Sequence, residues 1–158
     1  MVMRPIRLAL VAGMFMLSTA CSQEPERDVV SVTITTDDGQ RQFEAEPART
    51  PDAQQRGLMF RTDLTDESAM LFFPYPPGGE APREASFWMK NTPTALDIIF
   101  IRADGTIARI GRGEPFDESP VSSGEPVGAV LELKAGRAEA LGIEEGDKVS
   151  WPGGPGGN

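Results

Sequence analysis

"DIIFIRADGTIARIG", residues 97–111, decides the fold class. Apolar residues fill both arms, and Asp104-Gly105 between them supplies the positive φ that a tight hairpin turn demands. The first arm, Asp97 to Ile101, is almost wholly apolar, as expected of a strand entering a core. Working outward, "SAMLFFPY" (68–75), "ASFWMK" (85–90) and "GAVLEL" (128–133) read as further core strands. Near the start, "VVSVTITT" (29–36) alternates apolar and polar residues with the period of a half-buried strand. Asp38-Gly39 then turns the chain toward a partner, "RQFEAEPA" (41–48).

Helical signals are few. In "TPDAQQRGLMF" (50–60), Thr50 is an N-cap, Pro51 suits the first helical position and Gly57 ends the helix. "KAGRAEALG" (134–142) is a second short helix with Gly142 at its C-terminal cap, and "EEGDKVSW" (144–151) a turn and final strand. "PYPPGGEAPRE" (74–84) and "EPFDESPVSSGEP" (114–126) read as loops. The expectation is one mainly β domain over residues 29–151, sandwich-like or a partly open barrel of about eight short strands with two short helices, followed by a flexible tail at 152–158.

The first 20 residues stand apart. Arg4 and Arg7 precede the apolar run "LALVAGMFMLSTA", the layout of an export signal. Cys21, the only cysteine, follows small residues and resembles the lipidated cysteine of bacterial lipoproteins, although Ser18 stands where that family most often has Leu. Simple cleavage after Ala20 is the alternative. Residues 21–28 would then be anchor and tether, seven residues after Cys21 reaching at most ~25 Å. Ser22 is not the aspartate that retains some lipoproteins at the inner membrane, so the resemblance leans to the outer membrane. The expected location is the periplasm, with the membrane met through the lipid anchor alone.

Composition excludes several chemistries. No histidine is present, which removes Ser-His-Asp and Cys-His catalysis and histidine metal sites. Cleavage of the signal would take two arginines and no acid, moving the net charge from −9 to −11. Such a chain is a poor partner for nucleic acid or anionic lipid. With one cysteine, no internal disulfide can form.

Three options survive. Asp97 and Glu132 each border a core strand and could form the carboxylate pair of a glycoside hydrolase; otherwise Asp97 caps a strand start and Glu132 faces solvent between Leu131 and Leu133. Met59, Met70 and Met89 offer thioether sulfur for Cu(I), or simply fill the core. In "SFWMKNT" (86–92), strand alternation puts Trp88 and Lys90 on one face and Phe87, Met89 and Asn91 on the other. An indole beside a cation can hold a ligand; equally, Trp88 can cover the core edge while Lys90 pairs with Asp97 or another acid.

"QQRGLMFRTDL", "AMLFFPY", "SFWMKNTPTALDIIFI", "ADGTIARI" and "AVLELKAGRAEALGIEEGDKV" occur in this order over residues 29–151. Together they resemble the domain of unknown function family 192, a bacterial and archaeal family whose members are often exported. The signature positions are Arg56-Gly57-Leu58-Met59, Phe87 to Thr92, Leu96-Asp97 and Gly146-Asp147. The resemblance implies a compact, mainly β, sandwich-like domain and no established activity. The proline-rich stretch at 74–84 is longer here than in many relatives and bears on access to Trp88.

The leading expectation is therefore a non-catalytic binding or accessory module, a monomer with no cofactor and no metal. Its candidate site is Arg56, Trp88, Lys90, Asn91 and Asp97, its partner a small molecule, a glycan or an envelope protein. The rival is a histidine-free, carboxylate-based hydrolase of envelope polysaccharide; a methionine Cu(I) site stands third.

Overall fold

The structure, a computed structural model, describes residues 28–157. The stretch expected to be an export signal, Cys21 and most of the expected tether lie outside the described residues. The elements in chain order are β1 (Val30–Thr36), β2 (Gly39–Ala48), α1 (Pro51–Arg56), β3 (Ala69–Phe72), β4 (Arg83–Phe87) and β5 (Leu96–Ile101). There follow β6 (Ile107–Gly113), β7 (Val121–Val127), β8 (Ala129–Lys134), α2 (Arg137–Ala140) and β9 (Lys148–Ser150). The domain is mainly β, as expected.

Seven strands form one sheet in the order β6-β5-β8-β3-β2-β1-β9, while β4 and β7 pair as a separate ribbon. The large sheet curls so that its two end strands touch at one point. Val149 N–H reaches Gly105 O at 2.8 Å and Ile107 N–H reaches Asp147 O at 2.9 Å, bringing β9 beside the start of β6. The result is a half-barrel with two apolar layers. The inner layer gathers Val32, Ile34, Leu71, Ile99, Leu131 and Trp151 with neighbours. The outer layer contains Leu58, Phe72, Met89, Ile98, Phe100 and Val130.

The central strands β3, β8 and β5 contribute to both layers, which is why their sequences are continuous apolar runs rather than alternations. Between β5 and β6, Gly105 adopts φ 83° in the Asp104-Gly105 turn, and Asp104 Oδ1 accepts Thr106 N–H at 2.9 Å. At α1, Thr50 Oγ1 accepts Ala53 N–H at 3.2 Å, Pro51 opens the helix and Gly57 ends it, as the sequence predicts. Gly57 has φ 47°, and a Cβ there would press on the Phe72 ring at 3.3 Å, so position 57 has both a conformational and a packing reason to be glycine.

Two local expectations are corrected. Residues 121–126, read as the end of a loop, belong to β7; Gly124 and Pro126 interrupt its alternation, and its partner β4 is remote in sequence. β4 stops at Phe87 and belongs to the ribbon, not to the large sheet, so Trp88 to Lys90 lie beyond the strand. The tail at 152–157 turns back on Trp151: a Cβ on Gly154 would run into the indole, and only glycine permits that approach.

Candidate functional site

Past the end of β4 the chain alternates in burial although it is no longer a strand. Phe87 packs edge-on against Phe72 and Phe100, with ring centroids 5.0 and 6.0 Å apart. Met89 is buried over Gly113 and Ile98. Phe87 and Met89 thus anchor the segment inward and leave Trp88 47% exposed between them. Lys90 Nζ lies 5.1 Å from the Trp88 ring centroid, a cation–π distance.

Three loops meet here. Phe60 N–H donates to Asn91 O at 2.7 Å, Phe116 N–H to Thr92 O at 3.1 Å, and Met89 N–H to Asp117 O at 2.8 Å. Phe60, Asn91 and Phe116 have φ of 64°, 55° and 61°, and no other described non-glycine residue has positive φ. Left-handed backbone is costly for residues with a side chain, of order 1 kcal/mol or more for an aromatic, and persists where surrounding structure imposes it. The same loops carry three of the four large apolar side chains left exposed among the described residues: Phe60 (67%), Trp88 and Phe116 (63%).

Beneath Trp88 and Phe60 lies an open cleft of about 560 Å³. Arg56 at the end of α1, Met59, Lys90 and Asn91 line it, and Asp52 and Gln55 on α1 complete the wall. Arg56 and Lys90 form no ion pair among the described residues, whereas Arg61 is held by Glu46 and Asp63, Arg102 by Glu125 and Lys134 by Asp66. Helix α1 is itself pinned: Gln54 Nε2 donates to Ala48 O at 2.9 Å and Pro74 O at 2.8 Å. On its other side Trp88 borders a smaller cavity lined by Tyr75 and Pro77, so the proline-rich loop does flank the indole.

Of the five expected site residues, Arg56, Trp88, Lys90 and Asn91 share this cleft and Asp97 does not. Asp97 is 7% exposed on the opposite side of the sheet. Its Oδ2 accepts Ala138 N–H at 2.9 Å, fastening α2 to the sheet, and its Oδ1 lies 3.8 Å from Arg112. Among the described residues, Lys90 therefore pairs with neither Asp97 nor another acid. Phe60 in the cleft and Phe116 on the adjoining loop had no signal in the sequence, because nothing local marks a left-handed phenylalanine; Met59, expected as a Cu(I) ligand or core filler, lines the cleft.

The carboxylate pair fares differently. Asp97 registers with Leu133 and Glu132 with Ile98, so the two carboxylates point to opposite faces of the sheet and cannot flank one substrate. Glu132 does not face solvent, as its place between Leu131 and Leu133 suggested; it is 4% exposed, because the outer face is itself covered. Its Oε2 is buried without a hydrogen-bond partner, and burial pushes its pKa up to about 8. Met59 and Met70 line one cavity, while Met89 packs elsewhere in the outer layer, so the three sulfurs do not share that cavity.

With fold and cleft described, the class can be stated: the chain belongs to the domain of unknown function family 192, DUF192, an uncharacterised ACR family, matched over residues 32–151. A solved protein of unknown function from Novosphingobium aromaticivorans DSM 12444 is 45% identical, with TM-score 0.72 over 78% of this chain and 85% of that one. Another, from Sinorhizobium meliloti 1021 and described provisionally as a transcription regulator, is 36% identical with TM-score 0.72, covering 81% and 97%. No curated protein matched the sequence.

Proposed function

We propose that this protein is a non-catalytic binding or accessory module of the cell envelope whose ligand occupies the Trp88 cleft. The observation that carries this reading is the convergence of all three left-handed non-glycine residues on the loops that expose Phe60, Trp88 and Phe116. Exposed aromatics cost solubility, and strained backbone costs stability; both at one rim is expected of a ligand site held ready in advance. The amino-terminal signal and Cys21 support export and a lipid anchor in the periplasm.

Regulation of transcription, as described for the Sinorhizobium relative, finds little support in this chain. A net charge of −9 repels a phosphate backbone, and Arg61, Arg102 and Lys134 are already occupied by carboxylates. Hydrolysis by Asp97 with Glu132 is likewise disfavoured by their opposite orientation.

Calorimetric titration of the purified protein with soluble peptidoglycan fragments tests the binding reading. The expected result is saturable heat and no product, with binding lost in Trp88→Ala. Product that disappears in Asp97→Ala would contradict it. The anchor is tested separately: labelled palmitate should enter wild type but not Cys21→Ser, and equal incorporation would refute lipidation.

A further inference from the structure

The geometry points to an acidic saccharide as the ligand of the Trp88 cleft, its anionic group on Arg56 and Lys90 and a sugar ring against Trp88. This rests on the binding-module reading and adds the ligand's chemical class to it.

The first line of support is charge. The cleft carries two cations, Arg56 and Lys90, against one carboxylate, Asp52. Other cavities do not share that excess: the one at Met70 balances Asp28 and Glu46 with Arg56 and Arg61, and the one at Asp97, across the sheet, sets Arg112 against Asp97, Glu139 and Glu144. A cationic excess in a protein of net charge −9 is a local arrangement, not a reflection of the whole surface. The cations are also available. A guanidinium with no carboxylate on it presents its fork of donors to an incoming carboxylate or phosphate, and an ammonium adds a point charge beside it.

The second line is the rest of the lining. Gln55 and Asn91 offer carboxamides, and Asp52 offers a carboxylate. An aliphatic or aromatic acid would have no use for these groups, whereas a polyhydroxylated ring needs such donors and acceptors together. Asp52 then has a role in a cationic cleft as an acceptor for hydroxyls. Trp88 offers a flat apolar surface for the C–H face of a pyranose, and Phe60 extends it. A cleft of about 560 Å³ lies within the roughly 300–1,000 Å³ usual for ligand sites, so it can admit more than one ring.

Lys90 supplies the coupling between the two halves of the site. Its ammonium rests 5.1 Å from the Trp88 centroid. An anion between Lys90 and Arg56 competes for that ammonium and draws it off the ring, uncovering the surface on which the sugar stacks.

Isothermal titration of the full-length protein with trigalacturonate, its trimethyl ester and galactose 6-phosphate decides the matter. We expect trigalacturonate or the phosphate to saturate the protein, and the uncharged ester to bind at least tenfold more weakly than the acid. Arg56→Gln and Lys90→Gln should each lose at least tenfold, while Arg83→Gln, an exposed cation on β4 away from the cleft, changes nothing. Tight binding of trigalacturonate identifies a carboxylate and tight binding of galactose 6-phosphate a phosphate; either upholds the anion. Equal affinity for acid and ester, abolished by Trp88→Ala, overturns the anionic assignment and leaves the binding-module reading standing. Silence with all three probes overturns the assignment as well. Cleavage of trigalacturonate would instead sink the non-catalytic reading.

Discussion

The two tryptophans of the chain occupy opposite circumstances. Trp151 is 3% exposed in the inner layer, packed edge-on to Phe73 at 5.1 Å and roofed by the glycines that follow it in sequence. Trp88 is half-exposed, with a lysine on its ring and a cleft beneath. One indole has been enclosed by a backbone with no side chains to obstruct it. The other is held out by a backbone bent into left-handed conformations at residues that do carry side chains. The first arrangement gains stability from burial; the second spends stability to keep apolar surface in water. A difference of that sign separates a fold-holding aromatic from a ligand-holding one.

The comparison breaks most visibly by truncation. Trp151→Ala should cost about 3–5 kcal/mol, as large buried aromatics do, and a urea melt should show the fall in midpoint. Trp88→Ala should change stability by only about 0.5 kcal/mol, the scale of exposed positions. Similar losses for both would mean that Trp88 is structural.

Glu132 and Asp97 give the same contrast among buried acids. Asp97 is partnered by the Ala138 N–H; Glu132 has an unpartnered oxygen in an apolar layer. The folded protein holds the Glu132 proton up to about pH 8, whereas the unfolded chain releases it near the ordinary value of 4.5. The associated stability is fully present below about pH 4.5 and is lost as pH rises toward 8, at about 1.4 kcal/mol per unit. Glu132→Gln removes this slope, so its stabilising effect relative to wild type should be on the order of 3 kcal/mol greater at pH 8 than at pH 5. A difference between the two proteins that does not vary with pH would show that the carboxyl finds a partner.

Asn91→Gly sharpens the comparison at the rim. Relief of a left-handed non-glycine residue is offset by the greater freedom of the unfolded chain, so net stability should move by less than about 1 kcal/mol. Affinity for the cleft ligand should fall severalfold, because the loop holding Trp88 and Lys90 is loosened. Unchanged affinity would detach the strained backbone from the site.

Legibility followed the range of the interactions involved. The β5–β6 hairpin and both ends of α1 were readable because Asp104-Gly105, Thr50, Pro51 and Gly57 act within four residues of themselves. β7 was not, since its pairing with β4 spans a bulge and a partner 36 residues away at Ser86–Ser122. Glu132 was misplaced because alternation fixes which face a residue points to, not whether that face is covered; the second apolar layer comes from remote segments such as Leu58 and Met89. At the site, the Trp88–Lys90 strip was visible as composition, and family resemblance supplied Arg56. Asp97 was grouped with them by proximity in sequence, yet β5 carries it to the other side of the sheet. Phe60 and Phe116 became visible only through the hydrogen bonds that join their loops to Asn91 and Thr92.

On the proposed reading the ligand sits against Trp88 and not in the acidic cavity at Asp97. A trigalacturonate titration of isotopically labelled protein, read residue by residue by NMR, tests it most directly. Saturable shifts are expected at Gln55 to Phe60 and at Trp88 to Asn91, including the Trp88 indole N–H, with the Trp151 indole unmoved. Shifts centred on Arg112, Gly136 and Glu139, or none at the Trp88 loop, would contradict it.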